Sequence, residues 1–575
     1  MGAIGWLQLV LVLGAVVLVT KPLGVYLVQV LDPEVSGPPF LERVLGPVER
    51  AIYRAIGVDP SREQTWKRYA MSMIAFTGVV TFFTYALLRL QHVLPLNPQK
   101  LDAVRPDLAF NTAVSFVTNS NWQSYGGETT MSYFSQMVAL VANNFVSPAI
   151  GIATAAALVR GVARPSGTTI GNFWRDVVRQ TLYLFLPASV LYAVFLIAQG
   201  IPQNFSPYTA AHAVDGAAQN IVQGPIASQI AIKMLGTNGG GYVNVNAAHP
   251  FENPSALTNF VEMVLFIAVC SALTYYLGRM VKNQRHGWAV WSSMIGLMTI
   301  GILVCWWAEA QPNPHLLALG VDPASANMEG KEVRFGIAGS SLFAAMTTAT
   351  GCGAVNAMHD SFTPVGGLVT LANILSGEVI FGSVGSGLYG MLVFVIIAIF
   401  VAGLMIGRTP DYLGKRLEAR EMKLASLALL VPPMLTLVFT AVACVTDWGK
   451  AGLNNGGPHG LSEMLYAYAS ATGNNGSAFG GLTATPSNGN ILWNLTLGFC
   501  IIAGRLLPAV SVLALAGALV AKKARPDDVK TFPVTGTTFV LLVSFTVVLV
   551  GLLAFFPAVA LGPLAEHFLL RGATF

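Results

Sequence analysis

Four short stretches rich in Gly, Asn and Thr have the composition to bind an ion through main-chain oxygens. They read TNSNWQ at 118–123, GTNGGG at 236–241, TGCGAVN at 350–356 and TGNNGSAFGG at 472–481. Gly adopts backbone angles closed to other residues, so successive carbonyls can point inward, while Asn and Thr add side-chain oxygens or brace the strand. A ring of carbonyls replaces the hydration shell of a weakly hydrated monovalent cation. This chemistry favours potassium, although composition alone leaves sodium and ammonium open.

Carboxylates follow these stretches but do not occur within them. Divalent cations usually require carboxylate ligands, so their absence from the four stretches favours a monovalent ion. Glu128 and Asp360 come several residues after the first and third stretches. At those places they are predicted to concentrate cations at an outer mouth.

The four stretches recur at a nearly constant period. Aligning Asn121, Gly239, Gly353 and Gly476 gives intervals of 118, 114 and 123 residues. A moderately apolar segment, too short to cross a membrane, precedes each one. Such internal repetition predicts four related units of span, half-helix, filter stretch and span around a shared pore. The alternative, four glycine-rich loops of ordinary turn chemistry, is disfavoured by the common period.

The rest of the chain is apolar enough to carry these units across a bilayer. Of its 575 residues 54% are hydrophobic and only 10% are charged, whereas about 25% of a soluble globular chain is charged. Clusters of Lys and Arg follow alternate spans, so the positive-inside rule places both termini on the extracytoplasmic side. Spans are predicted near 4–28, 69–90, 130–158, 178–200, 257–279, 288–308, 369–407, 424–446, 489–520 and 534–556.

The predicted fold is an all-α polytopic membrane protein with ten transmembrane helices and four pseudo-fourfold repeats. The units are a first transmembrane helix at 1–30, pore repeats at 69–158, 178–280, 288–407 and 424–520, and a last transmembrane helix at 534–556.

Longer motifs carry a resemblance to a known family. They are TNSNWQSYGGE at 118–128, GTNGGGYVNVNAAHPFENP at 236–254, GCGAVNAMHDSFTPVGG at 351–367, GRTPDYLGK at 407–415 and NNGSAFGGL at 474–482. In these residues and their order the sequence resembles KdpA, the potassium-binding subunit of the bacterial Kdp potassium-transporting P-type ATPase. Gly351, Gly480, Val243 and Val245 depart from the residues expected there, and none of them removes a filter carbonyl.

The resemblance implies a role in ATP-driven, high-affinity potassium uptake. It implies that the chain, in the bacterial inner membrane, selects K⁺ from outside and passes it through an intramembrane tunnel to an ATPase subunit that uses the ATP. The implied partners are a P-type ATPase catalytic subunit (KdpB-like), a KdpC-like subunit and a small KdpF-like peptide, without nucleic acid and without an organic cofactor. The implied K⁺ filter consists of Asn119, Ser120, Asn121, Thr237, Asn238, Gly239, Gly351, Cys352, Gly353, Asn474, Asn475 and Gly476, with Gln123 and Asn246 beside it.

No catalytic site of the chain's own is predicted. The sequence has no Asp-Lys-Thr-Gly phosphorylation motif and no phosphate-binding loop, and its eight histidines show no metal-ligand spacing. A membrane-embedded enzyme is therefore disfavoured. The main alternative is a channel or ion-coupled transporter of the Trk/Ktr/HKT type that acts without a P-type ATPase.

Two charges near the predicted seventh span suggest a gate. Glu378 lies early in that span, and Arg408 caps its cytoplasmic end, with GSVGSGLYG at 382–390 between them. The glycines are predicted to break the helix below the filter, and the two charges to pair or to act on the ion. The alternative is that Arg408 only follows the positive-inside rule and Glu378 bonds to nearby backbone.

Overall fold

Ten helices in the described part of the chain are long and apolar enough to cross a membrane. The computed structural model describes residues 2–485, 490–524 and 532–572. The basic cluster predicted after the ninth span falls partly at 525–531, outside these residues. Spans 1 to 10 are Ala3–Leu31, Trp66–Leu90, Ser135–Ala163, Phe173–Ala198, Ala256–Met280, Gln284–Ala318, Ser386–Met405, Ala419–Val445, Leu492–Val520 and Thr537–Leu570. The predicted all-α architecture with ten spans is confirmed, whereas the boundaries of the repeats remain predictions.

A shorter helix precedes each of the four glycine- and asparagine-rich stretches. Pore helices 1 to 4 are Pro106–Val117, Ile226–Leu235, Gly336–Ala349 and Gly457–Gly473. At 1.5 Å per residue they measure about 15–25 Å, less than a hydrocarbon layer of about 30 Å. Prolines in the first turn of pore helices 1 and 4 suit that place, because the first N–H groups of a helix have no internal partner. The half-helices expected from the sequence are therefore present.

The other elements are short and connect the spans. Span 6 is regular to Glu309, and span 10 is regular to Val559, after which it bends at Gly562. The remaining helices are Pro33–Ser36, Glu42–Ile56, Gly127–Thr130, Asn246–Ala248, Pro323–Ser325, His359–Ser361, Pro364–Leu375 and Asp447–Lys450, and spans 6 and 10 end in the short helices Pro314–Ala318 and Ala565–Leu570. Two antiparallel hairpins pair Thr209–His212 with Ala218–Ile221 and Asp411–Tyr412 with Lys415–Arg416.

The predicted seventh span at 369–407 is wrong as a single helix. The structure has a helix at Pro364–Leu375, a break, and then span 7 at Ser386–Met405. Within the break, Gly377, Glu378 and Gly385 have φ angles of +82°, +52° and +97°. Left-handed backbone angles end a right-handed helix, and Gly accepts them at little steric cost. The helix break expected from the glycine-rich run is real, but it begins before that run.

Burial separates central spans from peripheral ones. Within their apolar windows, 89% of span 3 is buried but only 22% of spans 2 and 10. Large apolar side chains such as Phe82 on span 2 and Leu553 on span 10 are exposed. A soluble protein rarely exposes so much apolar surface in one place, whereas lipid is a good solvent for it. Span 3 therefore lies in the core of the bundle, next to the filter stretches.

A buried ion-pair network joins the first five spans. Arg160 Nε lies 2.7 Å from Asp32 Oδ1, and its Nη1 lies 2.7 Å from Asp176 Oδ2. Tyr276 donates a hydrogen bond to Asp32, and Tyr69 donates one to Asp176. The positive charge of the Arg160 guanidinium thus balances two buried carboxylates. Each carboxylate also accepts a hydrogen bond from a tyrosine hydroxyl. The fold depends on this balance, because an isolated buried charge is expensive.

Replacing Arg160 with Met is expected to lower the free energy of unfolding by about 3–5 kcal/mol, because it leaves two buried carboxylates without a cation. Arg164→Met is the matched control. Arg164 pairs with Glu63, but the two side chains are 27% and 39% exposed, so its loss should cost less than about 1 kcal/mol. Unfolding of the purified chain in detergent measures both, and equal losses would contradict the assigned role of the network.

Candidate ion filter

The four glycine- and asparagine-rich stretches leave their pore helices through the same turn. Filter segments 1 to 4 are residues 119–121, 237–239, 351–353 and 474–476. In each segment the amide of the middle residue donates to the carbonyl five residues before it, in the pore helix. These four bonds are Ser120 N to Ser115 O at 3.0 Å, Asn238 N to Lys233 O at 3.0 Å, Cys352 N to Thr347 O at 3.0 Å, and Asn475 N to Ser470 O at 2.9 Å.

The four segments also share one pattern of backbone angles. The first and third residue of each segment has a left-handed φ, and the middle residue does not. The eight left-handed residues are Asn119, Asn121, Thr237, Gly239, Gly351, Gly353, Asn474 and Gly476. Gly and Asn tolerate this region, but a β-branched Thr there is a conformational outlier. The left-handed backbone of Thr237 has a conformational free-energy cost that surrounding contacts must offset. Strained residues persist only where many neighbouring contacts hold them in place.

Close contacts place the segments in a closed ring. A Cβ added to Gly239 would lie 2.2 Å from the Cys352 carbonyl oxygen of segment 3. One on Gly353 would lie 2.2 Å from the Asn475 carbonyl oxygen of segment 4.

Contacts at the other two junctions close the ring of segments. A Cβ on Gly476 would lie 1.6 Å from the Ser120 carbonyl oxygen of segment 1. Asn121 Nδ2, in segment 1, donates to the Gly239 carbonyl of segment 2 at 3.2 Å. The order is 1–2–3–4–1, so all twelve predicted filter residues come together around a common centre.

Hydroxyl groups brace three of the four segments from behind. The side chains of Ser115, Thr347 and Ser470 donate to main-chain carbonyls just beyond segments 1, 3 and 4. Their acceptors are Trp122 O at 3.1 Å, Ala354 O at 2.7 Å and Ser477 O at 2.7 Å. Each bond spans seven residues, which fixes the distance between the pore helix and the far end of its segment. The pore helices also direct their partially negative carbonyl ends toward the centre, and this favours a cation.

Lys233 takes the place of the hydroxyl in pore helix 2. Its Nζ donates to Glu252 Oε2 at 2.5 Å and to Asn246 Oδ1 at 2.6 Å, and both charged side chains are fully buried. Glu252 Oε1 accepts from the Val243 amide at 2.9 Å. Sequence analysis missed Lys233 and Glu252. The signal was a lone charged residue, a lysine, in an otherwise uncharged half-helix, which requires a buried partner.

The two polar residues predicted beside the filter lie there. Gln123 exchanges two hydrogen bonds with Gly241, at 2.9 and 2.8 Å, and so joins the chains that follow segments 1 and 2. Asn246 accepts the bond from Lys233 and has a φ of +55°. Both residues support the backbone beyond the segments.

The two carboxylates predicted at an outer mouth are both hydrogen-bonded. Glu128 Oε2 accepts from the Asn244 amide at 2.8 Å. Asp360 Oδ1 lies 2.9 Å from His459 Nε2, and Glu566 Oε1 lies 2.8 Å from His459 Nδ1. Burial lowers the pKa of the His459 imidazole, but the hydrogen bonds with these carboxylates outweigh it and raise the pKa to about 10. At neutral pH the His459 cation offsets part of the charge of Asp360.

The predicted pairing of Glu378 with Arg408 is wrong. Glu378 is buried in the break before span 7, whereas Arg408 is exposed beyond the other end of that span. A helix of 20 residues separates them, which corresponds to roughly 30 Å. The basic group near Glu378 is Arg505 of span 9, which lines the same cavity of about 100 Å³. Sequence order could not reveal this proximity, because the two residues come to line one cavity only through the packing of spans 7 and 9.

The break before span 7 touches the filter directly. Ser383 Oγ donates to the Gly351 carbonyl at 3.1 Å, and the Val384 amide donates to Thr237 Oγ1 at 2.9 Å. A Cβ on Gly351 would lie 2.5 Å from Glu378 Oε2. The break therefore lies against the first residues of segments 2 and 3, and its bond to Thr237 helps to hold that residue in its unusual conformation.

The chain is similar in sequence to known proteins over nearly its whole length. The family model described as "Potassium-transporting ATPase A subunit" (KdpA) matches residues 10–568. A protein of Granulibacter bethesdensis named potassium-transporting ATPase potassium-binding subunit is 55% identical over 576 residues and covers 100% of both chains. Proteins of the same name from Methylorubrum extorquens and Rhodospirillum centenum are 55% and 54% identical, covering 98% and 100% of this chain and 97% and 99% of their own.

A solved structure shares the fold. The crystal structure of the potassium transporter TrkH from Vibrio parahaemolyticus has a TM-score of 0.51 and 13% sequence identity, covering 89% of this chain and 98% of its own. At that identity the likeness concerns the arrangement of helices alone.

Proposed function

The chain belongs to the KdpA family of potassium-transporting ATPase A subunits, and from that premise we propose that its filter segments select K⁺ for an ATP-driven uptake complex. The observation that carries this proposal is the closed ring of four equivalent segments. In each segment the amide of the middle residue donates to the same carbonyl position of its pore helix. At three of the four junctions a glycine packs against a carbonyl of the neighbouring segment. Such a lining can replace the hydration shell of K⁺ by main-chain oxygens.

The rigidity of this ring supports selection between cations. Hydrogen bonds from Asn121, Ser383 and Val384 tie segments 1, 2 and 3 to each other and to the break before span 7. A ring held in this way cannot contract around the smaller Na⁺ without breaking those bonds. K⁺ is the transported substrate in this proposal, and ATP is used by a partner chain.

We place the route out of the filter at the break before span 7. The cavity there has Glu378 and Arg505 on its wall and also touches Thr472 and Gly473, at the end of pore helix 4 just before segment 4. The buried Glu378 carboxyl group lies against filter segment 3, where its oxygens can attract a dehydrated cation, and a neighbouring guanidinium limits how firmly the ion stays. In this arrangement the gate consists of Glu378 with Arg505, and Arg408 lies outside it. The ion then passes sideways to a P-type ATPase subunit (KdpB-like).

The other proposed features of the complex follow from the family. KdpC-like and small KdpF-like chains complete it in the bacterial inner membrane, with both termini of this chain outside the cytoplasm. Peripheral spans 2 and 10 present apolar faces, which suit contact with lipid or with the span of a partner.

Replacing Glu378 with Gln is expected to lower K⁺-stimulated ATP hydrolysis by the complex about tenfold, which corresponds to ~1.4 kcal/mol of lost attraction for the ion. The substitution preserves the shape of the side chain and removes its capacity to ionise. Glu34→Gln is the control, because Glu34 is exposed near the end of span 1 and forms a long ion pair with Arg175 at 3.4 Å. Hydrolysis rates at limiting K⁺, well below the half-stimulating concentration, measure the effect, and an unchanged rate in the Glu378 variant would remove Glu378 from the route.

Co-purification followed by an ATPase assay across the alkali cations tests the proposed function. We expect a P-type ATPase subunit to accompany the tagged chain, and K⁺ to stimulate hydrolysis at a lower concentration than Na⁺ or Li⁺. The alternative is a channel or ion-coupled transporter of the Trk/Ktr/HKT type. It predicts a chain that purifies without an ATPase and conducts K⁺ into liposomes in the absence of ATP. A neighbouring reading frame with the Asp-Lys-Thr-Gly motif would favour the ATPase complex.

A further inference from the structure

Three potential metal-ligating side chains lie close together beside the parts of the chain that follow filter segments 3 and 4. Asp360 follows segment 3, and His459 and Glu463 lie in the first turns of pore helix 4. One ligand atom from each residue lies within 4.8 Å of those of the other two. Residues four apart on a helix share one face, so His459 and Glu463 point to the same place. Sequence analysis missed this group because Asp360 is about a hundred residues away in the chain.

Glu463 supplies an independent sign that a ligand is missing. Its side chain is fully buried. Its Oε1 accepts from Asn455 Nδ2 at 2.7 Å, whereas its Oε2 accepts no hydrogen bond from any residue in the described ranges. A buried carboxylate oxygen without a donor is costly, so such an atom indicates a proton, a water or a metal ion at that place.

The backbone opposite the cluster leaves space for both carboxylates. A Cβ on Gly481 would lie 2.2 Å from Glu463 Oε1 and 2.7 Å from Asp360 Oδ1. Any other residue at 481 would push these carboxylates away. The His459 cation offsets part of the charge of Asp360, and a metal ion in place of the proton on Nε2 would balance both carboxylates.

Glu566 occupies the outer side of His459. Its Oε1 lies 2.8 Å from Nδ1, while Nε2 faces Asp360. Metal-binding histidines commonly donate their second N–H to a carboxylate, which fixes the tautomer and orients the ring. Asp360, His459 and Glu566 also line a cavity of about 550 Å³ through which an ion can reach the cluster.

From these contacts we propose that Asp360, His459 and Glu463 form a site for a divalent transition metal ion of the Zn²⁺ class. The ligands would be one carboxylate oxygen from Asp360, His459 Nε2 and one carboxylate oxygen from Glu463, with water in the fourth position. Binding displaces the proton on Nε2, which leaves to solvent, and Glu566 keeps the proton on Nδ1. The bound ion would join the chain after filter segment 3 to pore helix 4, and through Glu566 to the helix at Ala565–Leu570.

Zinc content of the purified full-length chain tests the site. The protein is purified in detergent, stripped with a chelator, incubated with a small excess of Zn²⁺, desalted and analysed for metal. Cys444, the one cysteine of the chain that is not fully buried, is replaced by Ser in all samples to remove a competing thiol. We expect about one Zn²⁺ per chain, with absorption fine structure giving nitrogen and oxygen neighbours at about 2.0–2.2 Å.

Substitutions then assign the ligands. Asp360→Asn, His459→Ala and Glu463→Gln should each abolish retention, and Glu566→Gln should weaken Zn²⁺ binding by about 10- to 100-fold. His315→Ala, which removes another histidine from the wall of the same cavity, should retain the metal. Gel filtration and thermal unfolding identify any variant that fails to fold, in which case the Asn or Gln variants decide. If the parent chain retains no Zn²⁺, or the three ligand variants retain as much as the parent, the proposal is wrong.

Discussion

Replacing Gly239 with Ala is expected to lower the apparent affinity for K⁺ at least about 100-fold, equivalent to ~2.7 kcal/mol. Gly239 has a φ of +69°, and its added Cβ would lie 2.2 Å from the Cys352 carbonyl oxygen. The left-handed backbone alone costs a residue with a Cβ roughly 1–2 kcal/mol. The contact with Cys352 must then be relieved by moving one of the carbonyls that we propose to face the ion. The affinity is measured as the K⁺ concentration that half-stimulates ATP hydrolysis.

Gly78→Ala is the matched control for this experiment. Gly78 lies in span 2, and no atom lies within 4 Å of a Cβ added to it. Its substitution should leave the K⁺ dependence unchanged and, as an exposed helical Gly→Ala change, should if anything stabilise the chain. A Gly239 variant that folds, assembles and keeps its K⁺ affinity would contradict the close packing of segments 2 and 3.

Replacing Lys233 with Met is expected to lower the free energy of unfolding by about 3–5 kcal/mol, because Glu252 is left as a buried charge without a partner. The double variant Lys233→Met/Glu252→Gln should recover most of that loss. Gln keeps an oxygen that can accept from the Val243 amide, and the uncompensated charge is gone. Lys450→Met, on an exposed lysine, should change stability by less than about 0.5 kcal/mol.

The double variant also distinguishes an effect on the stability of the fold from an effect on the selection of K⁺ over Na⁺. If the Lys233–Glu252 pair only stabilises the fold, the double variant selects K⁺ over Na⁺ as the parent does. If the pair holds segment 2 in register, as its position behind that segment indicates, the double variant folds but discriminates less. Thermal unfolding and the ratio of half-stimulating K⁺ and Na⁺ concentrations distinguish these results. A stable single variant with normal selection would contradict both roles of the pair.

Local sequence patterns were sufficient to predict the number of spans and the four half-helices, although not the bounds of the seventh span. Long apolar runs mark spans because the hydrocarbon thickness sets their length. The four half-helices were visible because they are apolar yet too short to cross. Filter segments such as 237–239 could be located because left-handed backbone restricts the residues allowed, and Gly and Asn record that restriction in the sequence.

Contacts between distant parts of the chain were not predictable in the same way. The partnership of Lys233 with Glu252 and the proximity of Glu378 to Arg505 depend on how helices pack, and no local pattern encodes that packing. The pairing of Glu378 with Arg408 was wrong for this reason, since it assumed that charges at the two ends of one span could meet. The helix break lies at Gly377–Gly385, before much of the predicted run at 382–390, because Glu378 itself adopts a left-handed φ.

Density for an ion in the ring is the most direct test of the central claim, that main-chain oxygens from four repeated segments hold K⁺. Crystals or frozen grids of the complex prepared with Tl⁺ or Rb⁺ in place of K⁺ would locate it. The account predicts a peak on the common axis, within coordination distance of carbonyl oxygens from all four filter segments, which disappears when Na⁺ replaces the heavier ion. A peak held by carboxylates away from the ring, or an empty ring under conditions that saturate ATP hydrolysis, would contradict it.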